Sequence, residues 1–453
     1  MKSCFLLAFL AIAFNTYSQQ ITVRPAQLVF KGVTLIPMDK ERVLENQDLV
    51  VENGIITAIG RTGRVKYRPD AVVIDGRGKY LLPGLAEMHA HIPPVDDLEP
   101  MKENLLLFAT HGITTIRGML GHPKHLQLRE MIATNQVTGP RFITSGPSLN
   151  GNSVKTPADA DGMVRRQKQV GYDFLKLHPG LTREKFDSVA AAARRSNISF
   201  SGHVSFDVGI WHAIKSGYST IDHLDGFIEG LVPGMENISE QQAGLFGIFV
   251  AQQADTSRID TLMTALKNAG IWVVPTQALT ERWFSSERSV EELLEAPEMK
   301  YIAANQRNAW AKAKRDFMQN PNWPADGTET YNRLRRRLIL ACQQHGVGLL
   351  LGSDAPQIFN VPGPSTHHEL EYLVNSGLSN YEALRTGTAN IGNYLGDEKL
   401  GVIRKGAYAD LILLDANPLE DIRNTRKING VLLNGNWLTE EAIHSALKTL
   451  EKP

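Results

Sequence analysis

Between residues 85 and 395, short apolar runs alternate with helix-like stretches, and this alternation restricts the choice of fold more than any other feature of the chain. The first run ends in GLAEMHAH (84–91). The others are ITTIRGML (113–120), RFITSGPSL (141–149), DFLKLH (173–178), SFSGHV (199–204), TIDHLD (220–225), WVVPT (272–276) and LLLGSDA (349–355). Short, continuously apolar segments of this kind suit parallel strands covered on both faces. Stretches such as REKFDSVAAAARRSN and ERSVEELLEAPEMKYIAANQRNAWAKAKRD separate them and read as helices. Eight successive strand–helix units predict an α/β fold closed into a (β/α)8 TIM barrel, with its functional residues at the carboxyl ends of the strands. A doubly wound sheet is the alternative, but no Gly-rich phosphate loop supports it.

The two ends of the chain have a different texture. DLVVENGIITAIG is a pair of alternating runs joined at Asn53-Gly54, a strong hairpin signal. AVVIDGRGKYLLPG adds a further strand, and the pattern returns in GAYADLILLDANP and KINGVLLNGNWL. Residues 19–84 and 396–453 are therefore expected to form one discontinuous β-sandwich around a barrel spanning 85–395. Residues 281–337 are long for a single connection and carry Trp283, Phe284, Trp310, Trp323 and Tyr331. They read either as a surface helical insertion with its own small core or as a lid.

Composition excludes some partners. Lys plus Arg equals Asp plus Glu, 48 each, without a basic block, which argues against nucleic acid or an anionic membrane. Met1-Lys2-Ser3, the apolar stretch Phe5 to Phe14 and the small residues around Thr16-Tyr17-Ser18 form a secretory signal over residues 1–18, too short for a membrane span. The expected location is periplasmic or extracellular, with no membrane partner once the signal is removed. Cys342 is then the sole cysteine, so an internal disulfide is excluded and the core must hold by packing. A homo-oligomer is compatible with all of this.

Polar residues cluster at the predicted strand ends: His89 and His91, Lys176, His203, His223 and Asp354. In a strand, residues i and i+2 share a face roughly 6.5–7 Å apart, so His89 and His91 can aim at one point. Imidazole and carboxylate suit Zn²⁺ or Mn²⁺, and no thiolate is on offer. A lone histidine at a strand end is more often a hydrogen-bonded core residue. Four of them, with an Asp and a Lys, point to a metal centre.

The segments EMHAH, DFLKLH, SGHV, IDHLDG and LGSDAP together resemble the metal-dependent amidohydrolase superfamily. GVIRKGAYADLILLDANPLEDI is similar to the C-terminal sandwich of its imidazolonepropionase-like and prolidase-like branch. The resemblance implies two divalent metal ions, zinc being the best match. His89, His91 and Asp354 would hold one, His203 and His223 the second, and Lys176, as a CO2-derived carbamate, would bridge them. Carbamylation has a physical reason, since an ordinary lysine is cationic below a pKa near 10.4 and would be repelled by two cations. A lysine packed beside a single metal, or paired to an acid, is the alternative. A one-metal deaminase of the superfamily would commonly show a Glu shortly after the strand-5 His, and HVSFDVG has none.

The remaining candidates are substrate-binding ones. Arg117 could hold a carboxylate bidentately if it points inward. His178 shares a face with Lys176, and His367 and His368 open the helix after the last strand. His111 reads as a helix C-cap. The expected function is hydrolysis of an amide or peptide-like C–N bond in a small molecule by metal-activated water, with Asp354 as general base and then acid. A dipeptidase or an N-acyl amino acid hydrolase fits. The alternatives are a cyclic amide or lactone hydrolase, a one-metal deaminase, and a non-catalytic binding scaffold.

Overall fold

The computed structural model describes residues 22–323 and 326–453. The stretch read as an export signal lies outside them. The N-terminal part contributes β1 (Gln27–Leu35), β2 (Leu44–Glu52), β3 (Ile55–Arg61), β4 (Val72–Asp75) and β5 (Tyr80–Pro83). The middle contributes β6 (Leu85–Ala90), β7 (Ile113–Gly118), β8 (Arg141–Thr144), β9 (Leu175–Leu177), β10 (Phe200–Gly202), β11 (Thr220–Asp222) and β12 (Trp272–Val274). The C-terminal part adds β13 (Leu411–Leu414), β14 (Ile428–Leu433) and β15 (Asn436–Thr439).

Strands from both ends share one sheet, in the order β15-β14-β13-β5-β1-β2-β3, with β4 also paired to β1. The join is antiparallel, Leu411–Leu414 against Tyr80–Pro83. Asn53 (φ 50°) and Gly54 (φ 73°) turn β2 into β3 with both central residues left-handed, as the twist of a two-residue hairpin demands. Phe30 on β1 and Trp437 on β15 are four strands apart in hydrogen-bond order, about 19 Å in a flat sheet. Their ring centroids nevertheless lie 5.3 Å apart. The sheet therefore curls over a core that includes Leu35, Leu49, Leu81, Leu411 and Leu432.

The middle strands are parallel and form two sheets, β6-β7-β8 and β9-β10-β11-β12. Isolated parallel bridges link their edges: Ser145 to Phe174 and Leu149 to Leu177 from β8 and the residues after it to β9, and Val273 to Leu349 beyond β12. Another, Ala90 to Ala355, ties the far end of 349–355 to β6. This last segment, expected as a strand, has bridges only at its two ends. Asp354 sits at φ 63°, which takes its backbone out of the extended geometry a ladder requires.

Helices cover the parallel sheets by the expected spacing. In Arg183–Ser196, the buried Phe186, Val189, Ala190 and Ala193 recur at i, i+3, i+4 and i+7. Thr182 caps its start, and Asn197 (φ 46°) ends it in the left-handed conformation. The stretch expected as one long helix after Arg288 is broken into Val290–Leu294, a turn at Pro297–Tyr301 and Ala304–Met318. Pro297 cannot continue a helix because it lacks an N–H donor. Val290, Leu293, Met299 and Trp310 pack with Phe359 and Val361, which follow Asp354, and with Leu450, the C-cap of the last helix Glu440–Thr449. The insertion thus shares its core with the segment leaving the site. No helix among the described residues is long and apolar enough to cross a membrane.

Candidate metal centre

Five of the six expected ligands can be placed by direct contacts, and the sixth by its charge. His91 Nε2 lies 2.6 Å from Asp354 Oδ1, and His89 Nε2 lies 3.5 Å from the same oxygen. One ligand atom from each of these three residues falls within 4.8 Å of the others. His223 Nδ1 is 3.9 Å from Asp354 Oδ2, and its ring centroid is 4.4 Å from those of both His89 and His203. Lys176 is fully buried. Burial pulls its ammonium down to about 8 against the opposing pull of Asp222 and Asp354, and its charge helps hold His89, His203 and His223 neutral.

The backbone builds this convergence by ending each strand abruptly. His223 (φ 64°) and Asp354 (φ 63°) are left-handed at the end of their segments, as is Thr276 (φ 49°) just after β12. Gly202 ends β10 at φ 120°, where a Cβ would lie 2.5 Å from the Leu177 carbonyl oxygen and 2.9 Å from Lys176 Cδ. Only glycine lets β10 run so close to the lysine stem.

Three of the four imidazoles are held from behind. His89 Nδ1 bonds Asp222 Oδ2 at 2.9 Å, His203 Nδ1 bonds Asp225 Oδ2 at 3.0 Å, and His223 Nδ1 bonds Thr276 Oγ1 at 2.9 Å. Asp222 is held in turn by Thr220 Oγ1 at 2.6 Å and Arg117 Nη2 at 3.3 Å. Glu87, two residues before His89, accepts from Ser353 N at 2.7 Å, Ser353 Oγ at 2.8 Å and Thr366 Oγ1 at 2.8 Å, which fixes Asp354 against β6. Asp222, Asp225, Thr276 and Glu87 escaped sequence reasoning because their partners are remote in the chain. Asp222, inside TIDHLD, had only its place beside His223 as a signal.

A metal fits this donor set. His89 Nε2, His223 Nε2 and Lys176 Nζ are buried without a hydrogen-bond partner. Buried polar atoms are rarely left so, and all three belong to the expected ligands. Burial holds His89, His203 and His223 well below the ordinary imidazole range, so they are neutral and have a free lone pair. An orienting acceptor on Nδ1 with Nε2 free is the arrangement of a metal-bound histidine. The nitrogen and oxygen donors suit a borderline divalent cation.

The proposed substrate contacts fare differently. Arg117 does not face an open pocket. It is 1% exposed, and its guanidinium donates to the Met88 carbonyl, Thr220, Tyr394 and Asp222 beneath the site. His367 is saturated by Thr425 Oγ1 and the His111 carbonyl, 2.9 Å each. His368 lies between Glu298 at 2.9 Å and Arg426 at 2.8 Å. The bonds of both lead away from the cluster and tie the helix Pro364–Asn375 to its surroundings. His178 is half-buried, with its ring 4.7 Å from that of His203. His111 is the C-cap expected of it, with Nδ1 2.7 Å from the Leu107 carbonyl oxygen.

Comparison with known proteins agrees with this chemistry. A model of the amidohydrolase family matches residues 80–438. The chain belongs to the amidohydrolase family. It is 23% identical over 466 residues to the ochratoxinase of Aspergillus niger, covering 87% of this chain and 82% of that one. It is 23% identical to adenine deaminase 3 of Rhizobium meliloti over 255 residues, 52% of this chain and 42% of that enzyme. Among solved structures, bottromycin amidohydrolase superposes with a TM-score of 0.71 at 22% identity, covering 95% of this chain and 91% of that one. A Xaa-Pro dipeptidase with bound methionine in its active site gives a TM-score of 0.65 at 19% identity, covering 91% and 100%. As an amidohydrolase, the protein is a metal-dependent enzyme that hydrolyses C–N bonds of small molecules.

Proposed function

We propose that the amidohydrolase cleaves an amide or peptide-like bond of a small molecule with two divalent cations, zinc by preference, held by His89, His91, Asp354, His203 and His223, and bridged by Lys176 as a carbamate. The observation that carries this reading is the set of buried, partnerless nitrogens on His89, His223 and Lys176, beside the His91–Asp354 contact of 2.6 Å. In the same reading, the two parallel sheets and residues 349–355 make one closed (β/α)8 barrel. The bridges at Ser145, Leu349 and Ala355 support that closure. The curled sheet from both chain ends is read as the accessory sandwich domain.

Cations bound there supply Lewis-acid activation of water and of the scissile carbonyl. Asp354 takes the proton from the attacking water and returns it to the departing amine. Asp222, Asp225 and Thr276 keep His89, His203 and His223 aimed through the reaction. Phe246 and Phe284 give the His203–His223 side an apolar wall that limits water. Dipeptides and N-acyl amino acids are the proposed substrates, and residues 1–18 are the proposed export signal.

Metal analysis together with a dipeptide and N-acyl amino acid panel tests the reading. Near two equivalents of metal, a mass gain of one CO2 on the peptide holding Lys176, and turnover of a panel member are expected. Release of ammonia with about one equivalent of metal would favour the deaminase reading, which the similarity to adenine deaminases motivates. Turnover of cyclic amides or lactones alone would move the substrate class.

A further inference from the structure

Beside the metal centre lies a cavity of 1120 Å³, at or above the usual size for an organic ligand. It is lined by the segments that follow β9, β10 and β11, the three strands leading to Lys176, His203 and His223. None of the six candidate ligands lines it. Two of its lining residues touch them instead. Asp225 bonds the His203 imidazole, and the Phe246 ring stacks at 5.3 Å and 24° on His223 and at 6.1 Å and 8° on His203. The cavity and the metal centre are therefore adjoining spaces with the Phe246 ring between them.

The dividing residue is built to be unusual. Phe246 adopts φ 57° and ψ 29°, left-handed and costly for a bulky side chain, between Gly244 and Gly247, both at φ 71°. A bulky residue held this way persists where its position serves the site.

The lining chemistry selects a ligand. Trp211, Phe206, Ile238 and Leu245 give apolar and aromatic walls. Five lining carboxyl groups face three Lys or Arg residues. Two of those three are committed, since Arg183 donates to the Val208 carbonyl at 2.9 Å and Arg258 packs 5.8 Å over the Trp211 ring. Glu229 is a half-buried member of this lining, its Oε2 shielded beside Gly247 without a hydrogen-bond partner. Desolvation, reinforced by the nearby Asp225 carboxylate, raises this carboxyl to about 8.

We propose that this cavity binds the amine-bearing, aromatic-sized end of the substrate, with its N–H or ammonium donor on Glu229 and its scissile bond directed past Phe246 to the metals. This deepens the hydrolase reading and rests on it. It narrows the substrate class to amides whose remote end carries a basic nitrogen on an apolar body.

Titrating phenethylammonium and 3-phenylpropanoate into the metal-loaded protein by calorimetry tests it. A charge-assisted bond to Glu229 should make the amine bind about ten- to a hundredfold more tightly than the acid. Glu229→Gln, nearly isosteric, should erase that preference. The amine should inhibit hydrolysis of a panel substrate competitively. Equal affinity for both probes, a preference that survives Glu229→Gln, or non-competitive inhibition overturns the proposal. Binding with the expected variant pattern in a protein that hydrolyses no panel member would overturn the hydrolase reading and leave the amine pocket standing.

Discussion

Asp222 has two separable duties, and one substitution with its partner can tell them apart. Its carboxylate bonds His89 Nδ1 at 2.9 Å and neutralises the buried Arg117 guanidinium, both oxygens lying 3.3 Å from Nη2. Asp222→Asn preserves shape but removes charge. Arg117 would then be a buried cation without a counter-ion, which costs about 3–5 kcal/mol of stability. His89 would lose its anionic acceptor, and metal affinity should fall about 10–100-fold, or about 1.4–2.7 kcal/mol. Adding Arg117→Met removes the stranded cation. Urea unfolding of the chelator-treated double variant should regain most of the lost stability, while chelator competition should show the metal affinity still reduced. If the double variant recovers affinity along with stability, Asp222 acts through Arg117 alone and the orienting role is wrong. If Asp222→Asn changes neither quantity, the description of the site fails at its first support.

Further outcomes follow from the same geometry. Asp354→Asn should lower kcat by several orders of magnitude while metal content, measured by elemental analysis, stays nearly intact. Glu87, raised by burial to about 7 from 4.5, is favoured in its protonated form by the fold. Its contribution is full below about pH 4.5 and is lost as pH rises to 7, so the stability advantage of Glu87→Gln over wild type should grow by about 3 kcal/mol between pH 4.5 and 8 in chelator-treated protein. A flat difference across that range would contradict the assignment. His367→Asn should cost about 1–3 kcal/mol through the lost bonds to Thr425 or His111 and leave KM unchanged, and a raised KM would return it to the substrate site.

What the sequence disclosed was local. An apolar run closing on His, Lys or Asp marks a strand end, so His89, His91, Lys176, His203, His223 and Asp354 could be picked out as candidates from their own neighbourhoods. The Asn53-Gly54 turn and the helix within REKFDSVAAAARRSN were legible for the same reason. What the sequence concealed was the long-range partner. Asp222 is 133 residues from His89, and His367 meets Thr425 and His111 at separations of 58 and 256. Arg117 shows the difference most directly. Its strand position was right and it does hold a carboxylate through Nη2, but that carboxylate is Asp222 of the protein rather than a ligand's. Periodicity cannot tell an arginine that supports a site from one that faces it.

The left-handed residues join fold to chemistry, and they yield a last test. His223, Thr276 and Asp354 all have positive φ without being glycine, and all three lie where a parallel segment ends at the cluster. An extended strand would carry its side chains to alternate faces, one inward and the next against the helices. Turning the backbone at the final residue instead aims the side chain at the shared centre, and it stops the ladder, which accounts for strands as short as Thr220–Asp222 and Trp272–Val274. Such conformations cost on the order of 1–3 kcal/mol each and persist where the surroundings enforce them. Phe246, at φ 57°, separates this strain from the metal chemistry, because it is left-handed without being a ligand. Phe246→Gly and Phe246→Ala lose nearly the same ring contacts with His223 and Phe284. Only glycine adopts that backbone freely, so Phe246→Gly should be more stable than Phe246→Ala by about 1 kcal/mol, opposite in sign to the usual order within helices and strands. If alanine is the more stable, position 246 does not hold its left-handed conformation in solution, and the wall between cavity and metal centre is built differently.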